Sequence, residues 1–171
     1  MKPIILLCLM TLLAVSQPSK ADEQTIYLIR HAEKADPNAK DPILSEAGSE
    51  RANHLVDLFK QATPNAIFAT QFQRTQLTAA PLSKANNVPI TVLAINAENS
   101  AQYPALLLKQ ICALPKNANV LVVGHSNSIP AIVEAWSQKP VKAIADEEYD
   151  RFFVIQLKNC TVTTSLDLRY E

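Results

Sequence analysis

Short apolar segments alternate with amphipathic segments along most of the chain, and this alternation predicts the fold. The continuous apolar run over residues 120–123 is typical of a strand that is buried on both faces of a sheet. Other segments carry apolar residues at helical spacing, as Ala52, Leu55 and Phe59 do. Strands that alternate with helices predict an α/β protein, a three-layer sandwich in which helices flank a mainly parallel sheet.

The pattern places six strands and four helices in one uninterrupted series. Ser45 precedes the first helix and is a residue type that caps helix N-termini, and Pro130 is tolerated in the fourth helix because it lies in the first turn. No repeat, low-complexity tract or linker divides the series, so residues 22–171 are predicted to form a single domain. The predicted strands are 25–29, 66–70, 90–95, 120–123, 151–157 and 161–168, and the predicted helices are 46–60, 73–86, 103–113 and 128–137.

The first 21 residues have the pattern of a secretory signal peptide. Lys2 supplies the positive start, and the apolar run over residues 3–15 is shorter than the roughly 20 residues that a membrane span needs. Small residues precede a cleavage site before Asp22. We expect removal of residues 1–21 to leave a periplasmic or secreted chain with no stable membrane insertion. A buried amphipathic helix and a lipid anchor at Cys8 are the alternatives.

The composition excludes several classes of protein. Apolar residues make up 48% of the chain, which is too much for a disordered protein, and two glycines are too few for a collagen-like one. Sixteen basic side chains balance sixteen acidic ones, so the chain lacks the basic excess with which proteins bind nucleic acid backbones. We therefore expect no nucleic acid partner.

Two cysteines, Cys112 and Cys160, remain after the predicted signal peptide is removed. An oxidising compartment permits a disulfide between them, and two buried free thiols are the alternative. No CxxC pair occurs in the sequence, which argues against redox catalysis and structural zinc.

Charged and polar residues follow the predicted strands at their carboxyl ends, where α/β sheets bind ligands. Two histidines, two arginines and one carboxylate are therefore expected at one edge of the sheet. Guanidinium groups suit a phosphoryl group, and a neutral imidazole is a competent nucleophile. Since no acidic cluster accompanies them, no metal or other cofactor is predicted. The residues are Arg30 and His31, residues 71–74, Ala97 and Glu98, and Gly124 and His125.

Several of these polar residues also have a purely structural interpretation. His31 taken alone fits the solvated exit from a buried strand, and Glu98 fits a surface carboxylate nearly as well as a functional one. Arg74 opens a predicted helix, where a cation opposes the helix dipole, and this unfavourable position favours a functional role for Arg74. His54 and the Glu147-Glu148 pair are expected at the surface.

Four segments, taken in order, carry a resemblance to a known family. They are residues 27–34 around Arg30-His31, residues 44–48, residues 74–79 beginning at Arg74, and residues 122–127 around Gly124-His125. Together they resemble the signature motifs of the histidine phosphatase superfamily, in its phosphoglycerate-mutase-like branch. The resemblance runs from about residue 25 to residue 153 and implies the phosphoglycerate-mutase-like α/β fold.

The resemblance also implies site residues and a reaction. His31 would attack phosphorus and become a phosphohistidine, while Arg30, Arg74 and His125 would bind the phosphate oxygens, His125 thereby acting in catalysis as well. A carboxylic acid would protonate the leaving oxygen, and Glu98 is the candidate because it follows the third strand. The protein is thus expected to be a phosphoric monoester hydrolase.

The sequence also departs from the family pattern. Ala32 replaces the more usual glycine, and Thr70 keeps a hydroxyl where a Ser-Pro pair is common. The stretch between Arg74 and His125 has no room for the capping insertion of mutases, which favours hydrolysis. We expect an exported, metal-independent phosphatase that acts on a small phosphorylated substrate. A phosphate-binding protein without turnover and a phosphotransferase or mutase are the alternatives, and the sequence predicts no oligomeric state.

Overall fold

The structure, a computed structural model, describes residues 22–170. The predicted signal peptide over residues 1–21 lies outside the described residues. Within residues 22–170 no helix is long and apolar enough to cross a membrane. The strands are β1 (Glu23–Arg30), β2 (Ala66–Ala69), β3 (Ile90–Val92), β4 (Asn119–Gly124), β5 (Arg151–Lys158) and β6 (Thr161–Arg169). The helices are α1 (Glu46–Leu58), α2 (Gln73–Asn86), α3 (Tyr103–Cys112) and α4 (Ser128–Ser137).

The strands form one mixed sheet in the order β3-β2-β4-β1-β5-β6. Neighbouring strands from β3 to β1 are parallel, whereas β5 runs antiparallel to β1 and β6 antiparallel to β5. This arrangement confirms the predicted α/β class with a mainly parallel sheet flanked by helices. The central strand β4 is buried at every residue from Val120 to Gly124, as the apolar run over residues 120–123 indicated.

Helices cover both faces of the sheet. Because successive side chains of a strand point to opposite faces, each central strand contributes to the cores on both sides. Leu28 of β1 packs into the core that includes α3 and α4, whereas its neighbour Ile29 packs into the core that includes α1 and α2. Both side chains are fully buried, and burying one such side chain contributes about 1.5–3 kcal/mol. The helix residues in these two cores include Leu107, Ile111, Ile129 and Ile132 on one face and Leu55, Ala79 and Leu82 on the other, where Phe59 directly after α1 joins them.

The third strand is shorter than predicted, because it ends at Val92 rather than at residue 95. The Leu93 amide still donates to the Ala69 carbonyl of β2 at 2.9 Å, and farther along Ile95 pairs with a side chain instead of a strand. Gln71 accepts a hydrogen bond from the Ile95 amide at 2.9 Å and donates one to the Ile95 carbonyl at 2.7 Å. These bonds hold the loop after β3 beside the loop after β2, at the carboxyl edge of the sheet.

The two cysteines of the described chain form a disulfide, which decides between the two alternatives. The Cα atoms of Cys112 and Cys160 are 5.7 Å apart, within the range for a bridge. The bond joins the end of α3 to the turn between β5 and β6, where Asn159 and Cys160 have left-handed backbone conformations (φ 50° and 61°).

Candidate active site

The register of the two central strands brings His31 and His125 together. Arg30, the last residue of β1, pairs with Gly124, the last residue of β4. The His31 amide then donates to the Gly124 carbonyl at 2.9 Å, so both histidines leave the sheet side by side. Their ring centroids lie 5.4 Å apart. The two imidazoles therefore share one environment at the carboxyl edge of the sheet.

His31 is held in the tautomer that a nucleophile requires. Its Nδ1 lies 2.8 Å from the Ala32 carbonyl oxygen, and because a carbonyl only accepts, Nδ1 must carry the proton. Burial lowers the pKa of His31 to about 4, against the opposing effect of this hydrogen bond and with further lowering by the charges of Arg74 and Arg30. The ring is thus neutral at pH 7, with a free lone pair on Nε2.

His125 is held through a chain of hydroxyl groups. Its Nδ1 accepts a long hydrogen bond from Arg74 Nη2 at 3.4 Å, and its Nε2 lies 2.9 Å from Thr70 Oγ1. Since arginine only donates, Nε2 carries the proton and donates to Thr70. Thr70 in turn donates to Thr75 Oγ1 at 3.0 Å, which donates to the Phe72 carbonyl at 2.8 Å. Burial lowers the pKa of His125 to about 3, and the Arg74 charge lowers it further.

Arg30 is fixed along one edge of its guanidinium group. Nη1 donates to the carbonyls of Ala145 at 2.7 Å and Glu148 at 2.9 Å, and the ring of Tyr149 lies 4.1 Å from the guanidinium carbon. Both hydrogens of Nη1 are therefore donated to the loop before β5. Nε is buried and has no hydrogen-bond partner among the described residues.

Arg74 presents unused donors to the same space. Its Nε and Nη1 are buried without a hydrogen-bond partner in the described chain, and Asp41 Oδ1 lies 3.6 Å from Nη1, too far for a hydrogen bond. The ring of Phe72 lies 4.5 Å from the guanidinium carbon. Buried donors without partners cost about 1–3 kcal/mol each. An anion that accepts from Arg30 and Arg74 would remove this cost.

These four side chains lie together in one cavity. It has a volume of about 710 Å³ and opens at the carboxyl edge of the sheet. The structure therefore shows the predicted convergence of Arg30, His31, Arg74 and His125. The rest of the lining is mostly polar and includes Lys34, Phe72, Asn96, Ser126, Asn127 and Asp146.

Glu98 is not brought to this cavity. Its neighbours Asn96 and Ala97 line the cavity, but Glu98 lies exposed in a turn where its amide donates to Asn96 Oδ1 at 3.0 Å. The expectation that Glu98 faces the anion rested on its position after the third strand. It fails because β3 ends early and the following loop directs Asn96, rather than Glu98, toward the cavity.

Asp146 is the carboxylate that sequence reasoning missed. It lies in the loop between α4 and β5, which belongs to none of the four motif segments, and it lines the same cavity as the two histidines. The only sequence signal was a run of three acidic residues in a loop that precedes a strand antiparallel to its neighbours. The side chains of such a run are more often exposed to solvent without a function, so the pattern alone did not identify Asp146.

The same loop corrects a second expectation. Glu147 is exposed as predicted, but Glu148 is half-buried and accepts from the Ala145 amide at 2.8 Å and from Arg169 Nη2 at 2.5 Å. These hydrogen bonds, the one from Ala145 first, lower the pKa of Glu148 to about 2. Glu148 thus joins the loop that binds Arg30 to Arg169 of β6.

Comparisons with known proteins agree with this geometry. The model of the histidine phosphatase superfamily (branch 1) matches residues 26–99, which include Arg30, His31 and Arg74. The predicted resemblance to the histidine phosphatase superfamily is confirmed. A search of curated proteins gave no match.

Solved structures share the histidine phosphatase fold over most of this chain. A putative α-ribazole-5′-phosphate phosphatase from Escherichia coli is 14% identical with a TM-score of 0.69, covering 86% of this chain and 96% of its own. The putative phosphohistidine phosphatase SixA from Agrobacterium tumefaciens is 23% identical with a TM-score of 0.58, covering 83% and 97%. A mycobacterial glucosyl-3-phosphoglycerate phosphatase is 12% identical with a TM-score of 0.67, covering 86% and 98%.

Proposed function

We propose that this protein is a phosphatase that hydrolyses a phosphomonoester through a phosphohistidine on His31, without a metal ion. One observation carries the proposal. The free Nε2 of His31 shares a cavity with two guanidinium groups whose buried Nε donors have no partner in the described chain. That arrangement suits attack by a nucleophile on a bound phosphoryl group.

The charges in the cavity fit a phosphomonoester dianion. Arg30 and Arg74 supply two positive charges that do not depend on pH, because guanidinium stays protonated. They balance the two negative charges of the dianion, so phosphate binding needs no metal for charge neutralisation. The loose transition state of phosphoryl transfer spreads charge over the phosphoryl oxygens, and fixed positive charges of this kind stabilise it.

The resting state of His125 also suits an incoming anion. Its neutral Nδ1 is available to take up a proton when the dianion enters, since an opposite charge favours the protonated ring. It would then donate to a phosphate oxygen from Nδ1 while Nε2 keeps its bond to Thr70. His125 thus binds phosphate and stabilises the developing charge without competing as a nucleophile.

Water is able to complete the reaction. Attack through Nε2 leaves a phosphorylated ring with a positive charge, which the Ala32 carbonyl stabilises through Nδ1–H. Between α2 and β4 the chain forms only β3, a loop and α3, so among residues 22–170 no further domain covers the cavity. The relatives named as phosphatases, of phosphohistidine and of a glucosyl-phosphoglycerate among others, support hydrolysis by this chain as well.

Activity on a generic aryl phosphate tests the proposal. The chain from Asp22 onward should hydrolyse 4-nitrophenyl phosphate in the presence of EDTA, and His31→Ala should abolish turnover. His54→Ala is the matched control, because His54 is exposed on α1 away from the cavity. Turnover that survives in His31→Ala, or that EDTA abolishes, would contradict the mechanism.

The same preparation separates the two alternatives. A phosphate-binding protein would bind inorganic phosphate but would form no acid-labile phosphoryl label during exposure to substrate. A phosphotransferase or mutase would pass labelled phosphate to an added alcohol or to a second substrate molecule in preference to water. Hydrolysis with transient labelling of His31 supports the phosphatase.

Export is part of the proposal and rests on the sequence pattern of residues 1–21. The disulfide between Cys112 and Cys160 supports an oxidising compartment. N-terminal sequencing of the native protein should begin at Asp22 or within one or two residues of it. A native protein in the cytoplasm that retains Met1 would contradict export.

A further inference from the structure

The proposed reaction requires a proton donor for the leaving oxygen, and one carboxyl group lies where it can serve. We propose that Asp146 is this general acid, an inference that rests on the proposed function. Among the described residues that line the cavity, Asp146 is the sole carboxylic acid. The leaving group is then the conjugate base of an alcohol, which needs a proton as its bond to phosphorus breaks.

Asp146 lies at the tip of a tightly closed turn. The Glu148 amide donates to the Ala145 carbonyl at 3.1 Å, and the Ala145 amide donates to Glu148 Oε2 at 2.8 Å. Arg169 of β6 holds the other oxygen of Glu148 at 2.5 Å and also binds Asp150. The backbone of Asp146 is thus fixed although its side chain is exposed to the cavity.

The turn is hydrogen-bonded directly to Arg30, one of the two arginines proposed to bind phosphate. The carbonyls on either side of its tip, those of Ala145 and Glu148, are the two acceptors of Arg30 Nη1. Tyr149 follows the turn and stacks against the same guanidinium group at 4.1 Å. A phosphate bound through the remaining donors of Arg30 is therefore held at a set position relative to Asp146.

The other ionisable groups of the cavity are less suited to the role. His31 and His125 are assigned to attack and to phosphate binding, and the arginines do not release protons. Lys34 lines the cavity as well, but an ammonium group is a far weaker acid than a carboxyl group.

The proton and the bonds balance over the two steps. In the first, His31 Nε2 forms a bond to phosphorus, the ester P–O bond breaks, and the proton of Asp146 passes to the leaving oxygen. In the second, the Asp146 carboxylate takes a proton from water as the water oxygen bonds to phosphorus. The P–N bond breaks, its electron pair returns to Nε2, and Asp146 is protonated for the next cycle.

Dependence on the leaving group tests the assignment. Asp146→Asn preserves the shape of the side chain but cannot donate a proton. It should lower kcat/KM for an alkyl ester such as glycerol phosphate about 10²- to 10⁴-fold. Phosphoenzyme formation from 4-nitrophenyl phosphate, whose leaving group needs little protonation, should change less than about tenfold, measured as the burst of nitrophenol. Glu147→Gln and Glu98→Gln are matched controls, since both carboxylates are exposed and neither lines the cavity.

Two results would overturn the assignment. Equal losses for both esters in Asp146→Asn would mean that the residue acts through structure or charge. A selective loss of alkyl ester turnover in Lys34→Met or Glu98→Gln, with Asp146→Asn unaffected, would place the acid elsewhere. Failure of the phosphatase proposal gives a different pattern, because the parent protein and all variants would then be inactive on both esters.

Discussion

Removing one buried hydroxyl should separate the orientation of His125 from the rest of the site. Thr70→Val replaces the hydroxyl by a methyl group of similar size at a residue that is 1% exposed. Thr70 Oγ1 is the partner of His125 Nε2 at 2.9 Å, so the variant leaves a buried ring N–H unpaired. An unpaired buried donor costs about 1–3 kcal/mol.

The same energy sets the expected loss of activity. If His125 must hold this orientation in the transition state, 1–3 kcal/mol corresponds to a decrease in kcat of about 5- to 150-fold. The free energy of unfolding should fall by a similar amount, which lowers Tm by about 2–4 °C per kcal/mol in a domain of this size. Thr70→Ser keeps the hydroxyl and should retain most of the activity.

Steady-state kinetics with an aryl phosphate and urea unfolding measure the two effects. The hydroxyl acts through His125 if kcat falls in Thr70→Val and is restored in Thr70→Ser. A Thr70→Val protein that loses stability but keeps kcat within about twofold of the parent value would refute this reasoning, because Thr70 would then serve packing alone.

Three further perturbations have distinct outcomes. Because the pKa of His31 is lowered to about 4, the unfolded chain binds a proton between pH 4 and about 6.5 that the folded chain does not, so the free energy of unfolding should fall as the pH drops through this range. The urea midpoint should fall less steeply with decreasing pH in His31→Gln than in the parent protein. Equal slopes in the two proteins would refute the lowered pKa. Replacing Cys112 and Cys160 together by alanine should lower the free energy of unfolding by about 3–4 kcal/mol while leaving kcat unchanged, because neither cysteine lines the cavity; a lower kcat in the fully folded variant would link the disulfide to the site. Gly124→Ala should destabilise the protein by about 1–3 kcal/mol in urea titrations, because a Cβ atom would lie 2.7 Å from Ile129 Cδ1; unchanged stability would show that the side chain yields freely.

The parts of the fold that follow from local pattern were predictable. The helices 73–86 and 128–137 have the predicted bounds, since their starts and ends are marked by polar and turn-forming residues. The end of β3 was not predictable, because Ile95 pairs with the side chain of Gln71 rather than with a strand. A bond between a side chain and a distant backbone leaves no periodic signal in the sequence.

The candidate site likewise contains residues that the sequence predicted and one that it did not. Arg30, His31, Arg74 and His125 were found because they follow or flank strands whose carboxyl ends must meet. Asp146 was missed because it reaches the cavity from a loop after α4, and its position depends on carbonyl bonds to Arg30 and on the Arg169–Glu148 pair. Such tertiary contacts join residues that are far apart in the chain and share no motif.

A crystal structure with orthovanadate bound would test most directly whether the four residues surround a single anion. Vanadium should be bonded to Nε2 of His31, with its oxygens accepting from the Nε groups of Arg30 and Arg74 and from Nδ1 of His125. Vanadate bonded to another residue, or bound with His31 and His125 in contact with different anions, would contradict the account.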